Sequence, residues 1–210
     1  MGVADNLLAL LPEIPSSVSL VAVSKFKPVE DIMAAYSVGQ RRFGENRPLE
    51  MEAKAKALPA DIEWHFIGHL QTNKIKNVIP YAALIESVDS EHLLAAIDRA
   101  AGAAGRVVDC LLEVHVAAEE SKTGFSPDEA VEVARRAADY PNVRIRGIMA
   151  MATNTDDEAR VRADFRAAHD VLLRTGLSEL SMGMSGDWRI AIEEGATIIR
   201  IGSSIFGSRY

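Results

Sequence analysis

Three groups in this sequence have the type and spacing to do chemistry. They are a lysine closing one apolar run and two glycine–serine turns closing two others. Lys25 ends Val18-Ser-Leu-Val-Ala-Val-Ser-Lys25, while Met184-Ser185-Gly186-Asp187 and Gly202-Ser203-Ser204 follow short apolar runs near the C-terminus. Glycine lets backbone N–H groups approach closely and serine adds hydroxyl donors, so two such turns side by side make a cradle for an anion. The same residues also form ordinary strand-end turns, and that reading stands beside the first. Burial at a strand end disfavours the ammonium form of Lys25, and a neighbouring cation such as Arg200 disfavours it further. A less protonated amine is the nucleophile that Schiff-base chemistry requires. The alternative is a lysine whose head simply reaches solvent. An aldehyde bearing a phosphate would satisfy both the amine and the cradle.

Arg200 interrupts the β-branched run Thr197-Ile-Ile-Arg-Ile201, and alternation puts it on one face with Ile198 and Gly202. A guanidinium in a sheet covered on both faces needs compensation, either from an acidic neighbour or from a ligand. His65 and His69 are four apart, a metal spacing on a helix, but here they straddle a strand end where the side chains do not converge. With no cysteine or carboxylate cluster to complete a site, no metal is expected. His92 and His169 read as surface residues of helices, and Tyr36, Tyr81, Tyr140 and Tyr210 as packing or terminal residues. The lone cysteine, Cys110, lies in an apolar run and reads as a small buried hydrophobe, with no disulfide framework possible.

The elements that position these groups alternate regularly. Strands are expected over 18–25, 41–46, 63–68, 83–89, 107–116 and 143–151, in the run that ends before Ser185, and over 197–201. Helices are expected over 4–11, from Lys27 to Gly39, over 49–58 and 71–78, and from Ser90 to the glycines at 102 and 105. Capping boxes at Ser126-Pro-Asp-Glu129 and Thr155-Asp-Asp-Glu158 open two more, the second ending at Gly176, and a short helix closes at Gly195. This is the pattern of a single-domain α/β protein, a (β/α)₈ TIM barrel spanning residues 1–210. An open doubly wound sheet is the alternative. In a parallel barrel, ligand groups sit at the strand carboxyl ends. The candidates are therefore Lys25, Asn46, Gly68-His69, Ser87, residues 149–151, Ser185 and residues 200–203.

Composition narrows the function classes. A hydrophobic content of 48% and a mean hydropathy of +0.03 allow a substantial core. A net charge of −7 and a pI near 5.3 argue against nucleic acid or a membrane surface as partner. With no basic-then-apolar leader and no run of membrane-spanning length, the expected location is the cytoplasm.

Ala22-Val-Ser-Lys25, Phe43-Gly-Glu-Asn46, Trp64-His-Phe-Ile-Gly-His-Leu-Gln-Thr-Asn-Lys74, Ser181-Met-Gly-Met-Ser185 and Arg200-Ile-Gly-Ser-Ser-Ile-Phe-Gly207 resemble the pyridoxal phosphate homeostasis proteins, which are similar to the N-terminal barrel of alanine racemase. The resemblance spans nearly the whole chain. It implies that Lys25 holds pyridoxal 5'-phosphate as a Schiff base, and that Ser185, Gly202 and Ser203 hold its phosphate. It further implies that Arg200 faces the pyridine nitrogen and Asn46 lines the ring. The family binds and buffers the vitamin, with no catalytic turnover implied and apo-enzymes as possible recipients. Arg47-Pro48 and His115-Val-Ala-Ala depart from the family pattern, and Lys122 is a candidate second acceptor. A pyridoxal-phosphate racemase and a cofactor-free lysine aldolase are the competing readings. Racemisation needs a second proton-transfer group on the face opposite Lys25, and the chain ends at Tyr210. No sequence feature demands an interface, so a monomer is expected.

Overall fold

Near-continuous apolar runs can be satisfied as strands only if both faces are covered, and parallel pairing needs a crossover after every strand. The computed structural model, which describes residues 2–118 and 123–207, meets both conditions. Among the described residues, eight strands close in chain order into a parallel barrel: β1 (Ser19–Val23), β2 (Arg42–Glu45), β3 (Glu63–Phe66), β4 (Ala82–Val88), β5 (Val108–Val114), β6 (Val143–Ala150), β7 (Glu179–Ser181) and β8 (Ile198–Ile201). The expected barrel is therefore the observed one, and the open sheet is not. Around it lie α1 (Val3–Leu10), α2 (Val29–Ser37), α3 (Pro48–Ala57), α4 (Ile75–Val78), α5 (Glu91–Ala103), α6 (Pro127–Arg135), α7 (Glu158–Thr175), α8 (Trp188–Glu193) and α9 (Ser203–Phe206).

Alternation along the strands divides the core in two. Leu20, Phe43, Ile85, Leu112 and Ile199 face outward and pack under the helices. Val21, Leu84, Leu111, Met149 and Ile198 face inward and fill the barrel. On α7 the inward stripe is Val161, Phe165, Ala168 and Leu172, as its period requires. The buried stripe of α2 runs through Ile32 and Ala35, and Met33 beside it is 37% exposed. Cys110 is buried on the outward face of β5.

The first capping box forms as the sequence indicates: Glu129 N donates to Ser126 Oγ at 3.3 Å, and Ser126 N donates to Glu129 Oε2 at 2.8 Å. The second does not. Asp157 caps α7, accepting from Ala159 N at 3.0 Å, while Thr155 Oγ1 accepts from Asp157 N at 3.1 Å. Asp is itself a strong cap, so the helix starts two residues later than a box on Thr155 would have it. Likewise Pro28 caps α2 from outside instead of opening it, and the 71–78 stretch begins with a 3₁₀ turn, Thr72–Lys74, before α4.

One close approach holds the β6–β7 side of the barrel. A Cβ on Gly147 would lie 1.7 Å from the Glu179 carbonyl oxygen, so no side chain fits between these paired strands. Gly147→Ala should lower the unfolding free energy by about 2–3 kcal/mol, measured by urea denaturation. An unchanged midpoint would show that the strand pair yields without cost.

Candidate functional site

Parity along the strands decides which polar groups enter the barrel. Val21 faces inward, so Lys25, two residues beyond β1, starts from the same face. A Cβ on Gly44 would lie 3.0 Å from the Val21 side chain, which marks the inward face of β2 and gives Asn46 that parity too. Asn46 is half-buried, and its Oδ1 is a buried oxygen with no hydrogen-bond partner among the described residues. On β8, Arg200 shares the inward face with Ile198, and Gly202 follows at the mouth.

The two glycine–serine turns meet. Gly202 N donates to Ser185 Oγ at 3.3 Å, joining the loop after β7 to the loop after β8. Gly202 also lies against the end of β1, where an added Cβ would come 3.3 Å from Val23 Cβ. Ser203, exposed, opens α9, and Lys27 Nζ donates to the Phe206 carbonyl at 2.8 Å, tying the turn after Lys25 to the far end of that helix. Lys25, Asn46, Ser185, Gly202 and Ser203 thus gather at one mouth.

Arg200 is 4% exposed, and the first of its two expected compensations is present. Its guanidinium donates to Ser181 Oγ at 2.5 Å and to the Ala150 carbonyl at 3.1 Å, with Glu86 Oε2 3.6 Å away. Glu86 in turn accepts from Ser181 Oγ and meets His65 Nδ1 at 2.6 Å. Burial pushes the Glu86 carboxyl up, but the His65 bond, the charges of His65 and Arg200 and the Ser181 bond outweigh it and hold it below the usual carboxylate range. His69 is exposed and meets Asp89 Oδ2 at 3.1 Å, so the two histidines diverge as their spacing across a strand end implied. Ser87 Oγ donates to the Gly68 carbonyl at 2.6 Å and so braces the loop after β3.

Backbone strain sits beside the lysine. Phe26 has φ 63° and is the non-glycine residue in the left-handed region among those described, a conformation that costs about 1–3 kcal/mol. The Arg47 guanidinium stacks 4.4 Å over its ring. Arg47, one of the departures from the family pattern, thus takes a defined place at the rim. Lys122 and Tyr210 lie outside the described residues.

Comparison with known proteins agrees with this fold. Residues 3–210 match the family model of the alanine racemase N-terminal domain. The pyridoxal phosphate homeostasis protein of Schizosaccharomyces pombe is 38% identical over 203 residues, covering 92% of this chain and 85% of that protein. That of Aquifex aeolicus is 42% identical over 197 residues, covering 90% and 86%. The chain belongs to the pyridoxal phosphate homeostasis protein family. Among solved structures, PipY of Synechococcus elongatus without pyridoxal phosphate superposes with a TM-score of 0.91 at 38% identity, covering 98% of this chain and all (100%) of that one. The same protein with pyridoxal phosphate bound gives 0.89. An alanine racemase of Clostridium difficile, at 12% identity and a TM-score of 0.83, shares the fold over 57% of its own length.

Within this family's barrel, sequence reasoning passed over Glu86, Ser181 and Glu113. Each is a polar residue inside an apolar strand, the signal that singled out Arg200. Glu113 is 6% exposed and stands one inward step beyond Leu111 on β5. Burial, reinforced by the Asp89 charge, pushes its carboxyl up to about 7, against the opposing pull of Arg200, His69 and a Thr123 hydrogen bond. A folded-state value above the unfolded one means that the folded chain binds the extra proton between about pH 4.5 and 7. Stability from this group therefore falls as pH rises through that window and stays low above it, by at most about 3 kcal/mol. Glu113→Gln should be more stable than the native chain at pH 8 and no more stable at pH 5, by urea titration at both values. An equal effect at the two pH values would contradict the assignment.

Proposed function

We propose that this chain binds pyridoxal 5'-phosphate at the carboxyl mouth of its barrel and takes part in vitamin B6 homeostasis without catalytic turnover. The observation that carries the reading is the unpartnered, buried Asn46 Oδ1, at the mouth that also presents Lys25 and the joined Ser185–Gly202 turns. A buried acceptor with nothing to accept from fits a polar ligand seated there. Lys25, Asn46, Ser185 and Ser203 would hold the cofactor, which when bound would present an aldehyde within the chemistry of the Lys25 amine.

The chain's own residues do the rest. Ser185 Oγ accepts from Gly202 N, which leaves the hydroxyl proton of Ser185 free to point at a phosphate oxygen. Ser203, on the same turn, adds a second hydroxyl, and Gly202, with no side chain, lets a phosphate come close to the backbone of the turn. Arg200 stays charged and can only donate, so a ring nitrogen facing it is held as an acceptor. That arrangement works against the electron-sink chemistry that a protonated ring supports. This, with the homeostasis names of the relatives, supports binding without turnover. Among the described residues no helix is long and apolar enough to cross a membrane, and the net charge of −7 disfavours nucleic acid. A cytoplasmic monomer that releases the cofactor to apo-enzymes is the form proposed.

Native protein mixed with pyridoxal 5'-phosphate should show a visible absorption band and a borohydride-reduced adduct on Lys25, both lost in Lys25→Ala. The same sample should leave L-alanine unracemised. Peptide mapping that finds the adduct only on another lysine, or steady formation of D-alanine, would overturn the reading.

Ser185→Ala and Ser203→Ala should each weaken pyridoxal 5'-phosphate binding by about 1.5–3 kcal/mol, the worth of one hydrogen bond to a charged oxygen. Pyridoxal, which lacks the phosphate, should bind the variants and the native chain alike. Equal losses for both ligands would remove the serines from the phosphate site.

A further inference from the structure

The backbone on both sides of Lys25 is held by charged groups to which no role has been assigned. Lys54, on α3, is 7% exposed although it sits in a helix whose other lysine, Lys56, is on the surface. An ammonium has three N–H donors. Lys54 Nζ directs its donors to the Ser24 carbonyl at 2.8 Å, Glu45 Oε1 at 2.7 Å and Glu50 Oε1 at 2.7 Å. Glu50 Oε1 also accepts from Phe26 N at 2.6 Å. Ser24 Oγ donates to Glu45 Oε1 at 2.6 Å, and Glu45 is fully buried. The peptide before Lys25 is thus tied through its carbonyl and the peptide after it through its N–H, and both ties meet at Lys54 and Glu50.

We infer that Lys54, Glu45 and Glu50 are positioning residues that clamp the two peptide groups flanking Lys25, hold the left-handed turn at Phe26, and so aim the lysine amine into the barrel mouth. A residue at positive φ keeps that conformation only where its surroundings over-determine it, and this clamp supplies the determination. Parity explains why the clamp does not compete for the ligand. Phe43 and Glu45 face the helices while Gly44 and Asn46 face the barrel, so the clamp acts from behind the strand. Capture of an aldehyde by an amine depends on the approach direction, so a clamp of this kind controls the rate of attachment more than the affinity for phosphate and ring. The inference rests on Lys25 as the point of attachment.

The test uses the full chain and two ligands. Pyridoxal 5'-phosphate reports attachment through the visible band, followed by stopped flow. Pyridoxine 5'-phosphate, with an alcohol in place of the aldehyde, reports binding alone by calorimetry. Glu50→Ala, a change at a half-buried position on the first turn of α3, should slow attachment about tenfold to a hundredfold and leave pyridoxine 5'-phosphate affinity unchanged. Glu50→Gln keeps an oxygen for Phe26 N and should restore most of the native rate. Lys54→Met should behave as Glu50→Ala. Native attachment rates in Glu50→Ala and Lys54→Met would overturn the clamp, and so would a parallel loss of pyridoxine 5'-phosphate binding, which signals general damage. Lys25→Ala run alongside separates the two levels. A band that persists there removes the attachment point itself, whereas a lost band with native rates in the clamp variants removes the clamp alone.

Discussion

Closure of the barrel between its first and last strands is the constraint on which the site depends. The register sets Ser19 against Ile198, Val21 against Arg200 and Ala22 against Ile201. With that pairing in place, the turn carrying Lys25 and the turn carrying Gly202 and Ser203 leave the barrel side by side. The seam is reinforced from outside. Asn6 Nδ2 donates to the Ile205 carbonyl at 3.0 Å, and Lys27 Nζ reaches the Phe206 carbonyl at 2.8 Å. Amine and anion donors come from opposite ends of the chain, so neither half of the barrel could form this mouth alone.

The interior below that mouth is charged where most small barrels pack apolar layers. Leu84, Leu111 and Ile198 fill the barrel, and one inward step further along the same strands stand Glu86, Glu113 and Arg200. A buried ion pair adds little to stability once desolvation is counted, so the Glu86–Arg200 pair is poorly explained as a stabilising device. It does fix a guanidinium in one orientation, since Ser181, Ala150 and Glu86 each hold it from a different strand. His65 completes the chain on the side away from Arg200 and keeps Glu86 ionised against burial. A donor held this firmly loses little entropy when a ligand arrives.

On the opposite side of the barrel wall, Lys54, Glu45 and Glu50 form a second buried charge cluster, reached from α3. The two clusters share a logic. Each takes one cation, surrounds it with carboxylate and carbonyl or hydroxyl oxygens, and uses the resulting rigidity to fix a neighbouring group. In one case that group is the guanidinium itself, in the other the backbone beside Lys25.

Much of this was legible in the residues alone. The order of strands and helices follows from apolar runs separated by amphipathic segments, because burying apolar surface is non-directional and leaves a periodic trace in the chain. Closure over an open sheet was the favoured of two readings. Lys25 and Arg200 were legible for the opposite reason, as charges that break such runs. Glu86 breaks its run in the same way, yet its partner lies on another strand, and no local pattern says which distant strand will face it. Lys54 was not legible at all. On α3 it reads as one more surface lysine, and only the approach of that helix to β2 buries it against Glu45. The capping box expected on Thr155 gave way to Asp157, an equally competent cap that the folded helix start selects. The sequence by itself therefore determined which apolar runs are buried and in what order the elements come. The tertiary structure decided which polar groups meet, because hydrogen bonds and ion pairs require contact at about 3 Å and a fixed direction, and distant strands supply that only once the barrel has closed.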